Sequence, residues 1–131
     1  MATLTPTLTM VSTDATTDEL NFSVTDTLTV KAPAQGLSTI IADSTGANNI
    51  IVPATGGITT YVFIRHTGTT NGTTTSTVQV DVEETGGEPF ARLAAEEWMY
   101  LPFNHNAGNV GVQLQSTGAD VQMEYAFWTK S

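Results

Sequence analysis

The chain has 131 residues and a formal charge of −9 at pH 7, from 4 Lys plus Arg against 13 Asp plus Glu. That balance argues against nucleic-acid partners, whose affinity rests on cations that displace phosphate counterions. The absence of cysteine excludes a disulfide framework and thiolate metal sites, and no apolar run approaches the ~18 residues that suggest a membrane-spanning helix.

Threonine makes up about a fifth of the residues, and its branched Cβ favours extended backbone over helix. In the opening stretch MATLTPTLTM, Leu4, Leu8 and Met10 alternate with Thr3, Thr5, Thr7 and Thr9. Pro6 sits in the middle and cannot donate a ladder hydrogen bond, so residues 1–19 are expected to form an arm or an edge strand. The same stretch lacks the cationic start and continuous apolar core of a signal peptide, and the chain reads as soluble and unprocessed. Asp14, Asp18 and Glu19 form an acidic cluster without the alternating acids, central glycine and terminal glutamate of an EF-hand loop. A solvated turn is the expectation there.

From residue 20 to residue 131 a single β-sandwich domain is expected. In LNFSVTDTLTV, Leu20, Phe22, Val24, Leu28 and Val30 hold even positions, with Asn21, Ser23, Thr25, Thr27 and Thr29 between them. That is one apolar face and one hydroxyl face. In ITTYVFIR, Ile58, Val62 and Ile64 share one face while Tyr61 and Phe63 share the other, which predicts a central strand or one covered by a neighbouring subunit. Residues 67–77 contain seven threonines, two glycines, one asparagine and one serine. They are read as a solvated hairpin connection whose hydroxyls serve local backbone groups, with Asn71-Gly72 accepting positive φ.

Period-two alternation returns at residues 77–83, 110–115 and 121–127. FARLAAEEWMYL also carries helical spacing, in Phe90, Leu93, Ala94, Glu97, Trp98 and Leu101. A short turn at residues 94–96 followed by a strand is the preferred reading. Turn signals fall at Ser44-Thr45-Gly46, Gly56-Gly57, Asn71-Gly72, Gly86-Gly87, Asn106-Ala107-Gly108 and Thr117-Gly118. Their spacing suits an all-β, antiparallel, jelly-roll-like sandwich of about eight short strands.

Chemistry is not evident. His66 and His105 have no ligand partner at a helical or strand spacing and are placed in loops or at strand ends. Glu83-Glu84 and Glu96-Glu97 are adjacent, so in strands their carboxylates point apart and cannot act jointly, and a solvated edge is expected. There is no nucleophile elbow and no phosphate-binding glycine loop. No enzyme activity, cofactor or metal is expected, and Asn21-Phe22-Ser23 and Asn71-Gly72-Thr73 match glycosylation acceptors without the signal peptide that would give them meaning.

Three stretches carry a resemblance: ATLTPTLTMVSTDATTDELNFSVTDTLTV, TTYVFIRHTGTTNGTTTSTVQVDV, and the series LAAEEWMYLPFN, VGVQLQ and VQMEYAFW. Together they resemble the small all-β virion proteins of tailed bacteriophages, in particular head decoration, or cement, proteins of marine and cyanobacterial phages. Glu96 departs from that pattern, standing where a glycine is expected before the glutamate. The resemblance implies a non-enzymatic homotrimer on the outer surface of the capsid, bound to the major capsid protein, with no nucleic-acid or membrane partner. The residues expected at its interfaces are Leu4, Pro6, Leu8, Tyr61, Phe63, Trp98, Tyr100 and Trp128. A tail, collar or fibre position is an alternative. So is a carbohydrate-binding module with Trp98, Tyr100 or Trp128 as a stacking platform.

Overall fold

The structure is a computed structural model that describes residues 2–45, 49–105 and 108–131. The turns expected at Gly46 and at Asn106-Ala107 lie outside the described residues. All regular structure among the described residues is β, in eleven strands: β1 (Ala2–Leu4), β2 (Thr7–Ser12), β3 (Leu20–Thr25), β4 (Leu28–Ala42), β5 (Ile50–Thr55), β6 (Thr59–His66), β7 (Val80–Glu84), β8 (Pro89–Leu93), β9 (Trp98–Asn104), β10 (Val110–Ser116) and β11 (Val121–Lys130). They form two compact units, one of residues 1–31 with 130–131, the other of residues 32–129.

The larger unit is a jelly roll. One sheet has the order β4-β11-β6-β9 and the other β5-β10-β7-β8. The pairings β4 with β11, β5 with β10, β6 with β9 and β7 with β8 are therefore nested, the double Greek key that defines this fold. Its eight strands match the number expected from turn spacing. The inward residues of both sheets make one core: Val62 and Ile64 from β6, Val80 and Val82 from β7, Leu93 from β8, Phe103 from β9, Val112 and Leu114 from β10, and Val121, Met123 and Phe127 from β11. Period-two alternation puts these side chains on one face of each strand, and burying each is worth ~1.5–3 kcal/mol.

Four prolines mark the outer strands of this unit: Pro33 in β4, Pro53 in β5, Pro89 in β8 and Pro102 in β9. The inner strands β6, β7, β10 and β11 have none. A residue without an N–H interrupts the row of donors an edge offers to another strand, so each of the four edges is blunted against strand addition. One glycine is also required by close approach. A Cβ on Gly111 in β10 would stand 2.2 Å from the Val52 carbonyl oxygen, 2.7 Å from the Ala54 nitrogen and 2.8 Å from the Pro53 carbonyl carbon. It lies where the β10–β5 register shifts.

The smaller unit is a long antiparallel ribbon. β1 pairs with the start of β4 from Ala2↔Val30 to Leu4↔Leu28, and β2 pairs with β3 from Thr7↔Thr25 to Ser12↔Leu20, all in one continuous register. The interruption falls at Pro6. The Asp26 N–H donates to the Pro6 carbonyl at 3.1 Å, and Pro6 has no N–H to return the bond. The odd positions form a largely hydroxyl face, broken by the exposed Val11, with Thr7 Oγ1 and Thr25 Oγ1 2.9 Å apart and Thr9 Oγ1 donating to Ser23 Oγ at 3.0 Å. The even positions form the apolar face. Where the sequence suggested a boundary between residues 19 and 20, the compact units divide at Lys31 and Ala32, because Leu20–Thr25 zips onto β2.

Strand limits differ from expectation at several places, and β5 and the part of β4 beyond Val30 were not expected as strands. The alternation over residues 20–30 is two strands, broken at Asp26-Thr27 opposite the proline, and the strand expected from Thr77 starts at Val80. Residues 94–97 form the expected turn, with Glu96 at φ 67°. The Ala94 N–H donates to Glu97 Oε2 at 2.7 Å, and the Glu97 N–H donates to the Ala94 carbonyl at 3.1 Å. The segment with helical spacing is therefore two strands joined by a tight turn, β8 in one sheet and β9 in the other.

A candidate protein-binding face

The outer face of the β4-β11-β6-β9 sheet gathers the aromatic residues. The register places Arg65 opposite Trp98 and Glu124, Phe63 opposite Tyr100 and Ala126, and Tyr61 opposite Pro102 and Trp128. Side chains that face one another across neighbouring strands share a side of the sheet, so these nine residues form three rows of three. The rings meet diagonally. Tyr61 and Tyr100 have centroids 6.4 Å apart with planes at 11°, and Phe63 and Trp98 have centroids 6.5 Å apart at 38°. Trp98 is 53% exposed and Tyr100 36%, whereas Tyr61 is 6% exposed beneath its neighbours. Phe63 and Trp128 are half-buried. One corner holds a partly exposed ion pair, Arg65 Nη1 to Glu124 Oε1 at 3.5 Å, which contributes little to stability but fixes one polar corner of an apolar field.

The outer face of the other sheet has a different composition. Arg92 grips Asp81 with two hydrogen bonds, Nε to Oδ1 at 2.6 Å and Nη2 to Oδ2 at 3.0 Å. The Asp81 carboxylate, by its hydrogen bond first and its charge second, holds the guanidinium more firmly protonated than a free arginine. Gln113 Nε2 donates to Glu83 Oε1 at 2.6 Å. Glu83, expected at a solvated edge, is buried through this contact, and its neighbour Glu84 is exposed. One sheet thus turns aromatic carbon outward and the other turns amides and paired charges, with Ile50 exposed opposite Gln113.

Five of the expected interface residues, Tyr61, Phe63, Trp98, Tyr100 and Trp128, are brought together on the aromatic face. Leu4, Pro6 and Leu8 lie on the even face of the ribbon. The threonine-rich segment 67–77 forms a small tip closed by its own polar groups. The Thr70 N–H donates to the Thr74 carbonyl at 2.7 Å, and Asn71 Oδ1 accepts from the Thr73 and Thr74 N–H groups at 3.2 and 3.1 Å. Thr67 Oγ1 anchors the tip to β11 by donating to the Gln122 carbonyl at 2.7 Å.

His66 ends β6 and His105 follows directly after β9, as the expectation of loop or strand-end residues had it, but both are fully buried, which that expectation did not include. His66 Nδ1 accepts from the Gly68 N–H at 2.9 Å, so Nε2 carries the proton and donates to the Val78 carbonyl at 2.7 Å. His105 Nδ1 donates to the Val110 carbonyl at 2.6 Å, and Nε2 meets Thr60 Oγ1 at 2.6 Å. These rings tie loops to the core and present no free nitrogen for chemistry. Asp14 belongs to a local turn in which Ser12 Oγ accepts from the Ala15 N–H at 3.0 Å and donates to Asp14 Oδ1 at 3.1 Å. Among the described residues no three His, Asp or Glu side chains converge on a common point that could hold a metal ion.

The signal for the buried histidines was available in the sequence. His66 continues the inward period of Val62 and Ile64, and His105 continues that of Leu101 and Phe103. Comparison with protein-family models, curated proteins and solved structures finds no match for this chain.

Proposed function

We propose that this chain is a non-enzymatic structural protein of a phage virion, a capsid decoration or cement protein that binds the major capsid protein on the outside of the head through its aromatic sheet face and self-associates. The observation that carries the binding reading is the contrast between the two outer faces of one jelly roll. Exposed Trp98 and Tyr100, backed by Phe63, Tyr61 and Trp128, stand on a face with one ion pair, whereas the opposite face carries the Arg92–Asp81 pair and the Gln113–Glu83 contact with Ile50 exposed beside them. Aromatic residues in a charge-poor centre with a charged rim are the composition of protein interfaces, where a few such anchors supply most of the affinity. The capsid as partner comes from the resemblance stated above. The net charge of −9 supports an exterior position, away from packaged nucleic acid.

The test is reconstitution on heads stripped of this protein. A Trp98→Ala, Tyr100→Ala double variant should fold as the parent does and lose ~100-fold or more in occupancy. Full occupancy by that variant would refute the aromatic face as the contact. Density for labelled protein at the tail, collar or fibres would move the protein within the particle. The exposure of Trp98 and Tyr100 on one side also favours a second reading, a flat stacking surface for sugar rings, and specific hits on a glycan array would select it.

A further inference from the structure

We propose that Asn71-Gly72 is a latent self-modification site, and that the tip over residues 67–77 is a clasp that holds it in the amide form. The inference stands apart from the shell-binding reading and does not rest on it.

Asparagine followed by glycine is the pair most open to deamidation, because glycine has no Cβ to hinder attack by its own nitrogen. The Gly72 nitrogen loses its proton and attacks Asn71 Cγ. A new N–C bond closes a succinimide ring, the Cγ–Nδ2 bond breaks, and the side-chain amide leaves as ammonia carrying the proton. Water then opens the ring to aspartate or isoaspartate. Residues 71–75 are exposed, so water reaches the pair and burial gives it no protection.

Both reacting groups are tied instead. At the nucleophile, the Gly72 N–H donates to Thr69 Oγ1 at 3.0 Å. Thr67 Oγ1 gives its one proton to the Gln122 carbonyl at 2.7 Å, so Thr69 Oγ1, 2.9 Å away, gives its own to Thr67 and offers Gly72 a lone pair. A chain of three bonds thus runs from the nucleophile to β11, each polarising the next. At the electrophile, Asn71 Oδ1 accepts from the Thr73 N–H at 3.2 Å, from Thr73 Oγ1 at 3.0 Å and from the Thr74 N–H at 3.1 Å. Turning Cγ onto the Gly72 nitrogen breaks these bonds. Around them the loop is closed by the Thr70 N–H to the Thr74 carbonyl at 2.7 Å and the Ser76 N–H to the Gly68 carbonyl at 2.8 Å.

Donors on Oδ1 would activate the amide if the nitrogen were free. The nitrogen decides, since a bonded N–H ionises only when its segment opens. Deamidation therefore runs at the unfolded-chain rate scaled by the opening equilibrium of the tip, the same equilibrium that governs proton exchange at Gly72. An aspartate product keeps an oxygen for the same donors. Isoaspartate adds a methylene to the backbone and displaces Thr73 and Thr74.

The test follows the amide at Asn71 by peptide mass mapping of the full chain at mildly alkaline pH, folded and in urea, alongside hydrogen exchange at Gly72. The folded chain should deamidate ~100-fold more slowly than the unfolded one. Thr69→Val keeps the shape but removes the acceptor, and should speed deamidation and Gly72 exchange alike by ~10-fold. Thr75→Val removes an exposed hydroxyl of the same tip and should leave both rates at the parental value. Deamidation as fast in the folded chain as in urea, a parental rate in Thr69→Val, equal acceleration by Thr75→Val, or a deamidation rate that does not follow Gly72 exchange would overturn the proposal.

Discussion

At the scale of single residues, two backbone positions carry clear energetic consequences. Gly111 admits no side chain, because a Cβ would enter the backbone of β5 at 2.2 Å from the Val52 oxygen. Gly111→Ala should therefore cost ~2–4 kcal/mol in urea denaturation, by forcing β10 and β5 apart in the core-forming sheet. Glu96 holds φ 67°, a conformation that costs an L-residue ~1 kcal/mol or more. Glu96→Gly should raise the denaturation midpoint by the equivalent of ~1 kcal/mol, less the entropy glycine adds to the unfolded chain. The unusual backbone at Glu96 coincides with the position where the resemblance led us to expect glycine. The histidines show the converse limit. Their place at strand ends could be read from alternation, but their hydrogen bonds to Val78 and Val110 depend on loops whose path no local pattern encodes.

Among the elements, alternation was the most informative signal. It located β6, β9, β10 and β11 to within a few residues and assigned their inward faces, because a core layer imposes a period of two on every strand that borders it. The aromatic face was legible for the same reason: the alternate positions of β6 and β9 could be named as its members before their register was known. Pairing was not legible. Residues 20–25 alternate as a sandwich strand would, yet they pair with Thr7–Ser12, since a local turn closes that contact with little loss of chain entropy. The prolines held unused information, for a proline inside an alternating run marks an edge, and four of them name the four edges of the jelly roll. Pro6 supplies a direct check. Pro6→Thr restores an N–H opposite the Asp26 carbonyl, so β1 and β2 should fuse into one strand, with slower amide exchange at residues 5–8. Exchange unchanged from the parent would mean that the break has another cause.

For the whole molecule, the division at Lys31 and Ala32 separates a ribbon with one buried described residue from a jelly roll with a complete core. A chain beginning at Ala32 should fold cooperatively with the circular dichroism of an all-β protein, and its melting temperature should fall by only a few degrees. Loss of the cooperative transition would show that the ribbon is part of the folding unit. The strand order has a further consequence for biosynthesis. β11, the last of the jelly-roll strands in chain order, lies between β4 and β6, so neither of those strands has that neighbour until residues 121–130 have been synthesised. A nascent chain on the ribosome can close β7 onto β8 early, but both flanks of the gap reserved for β11 stay open, offering unpaired backbone to other nascent chains. Loss of residues at the front of the chain trims an appendage; a ribosome that stalls before Val121 leaves half of the fold without its middle.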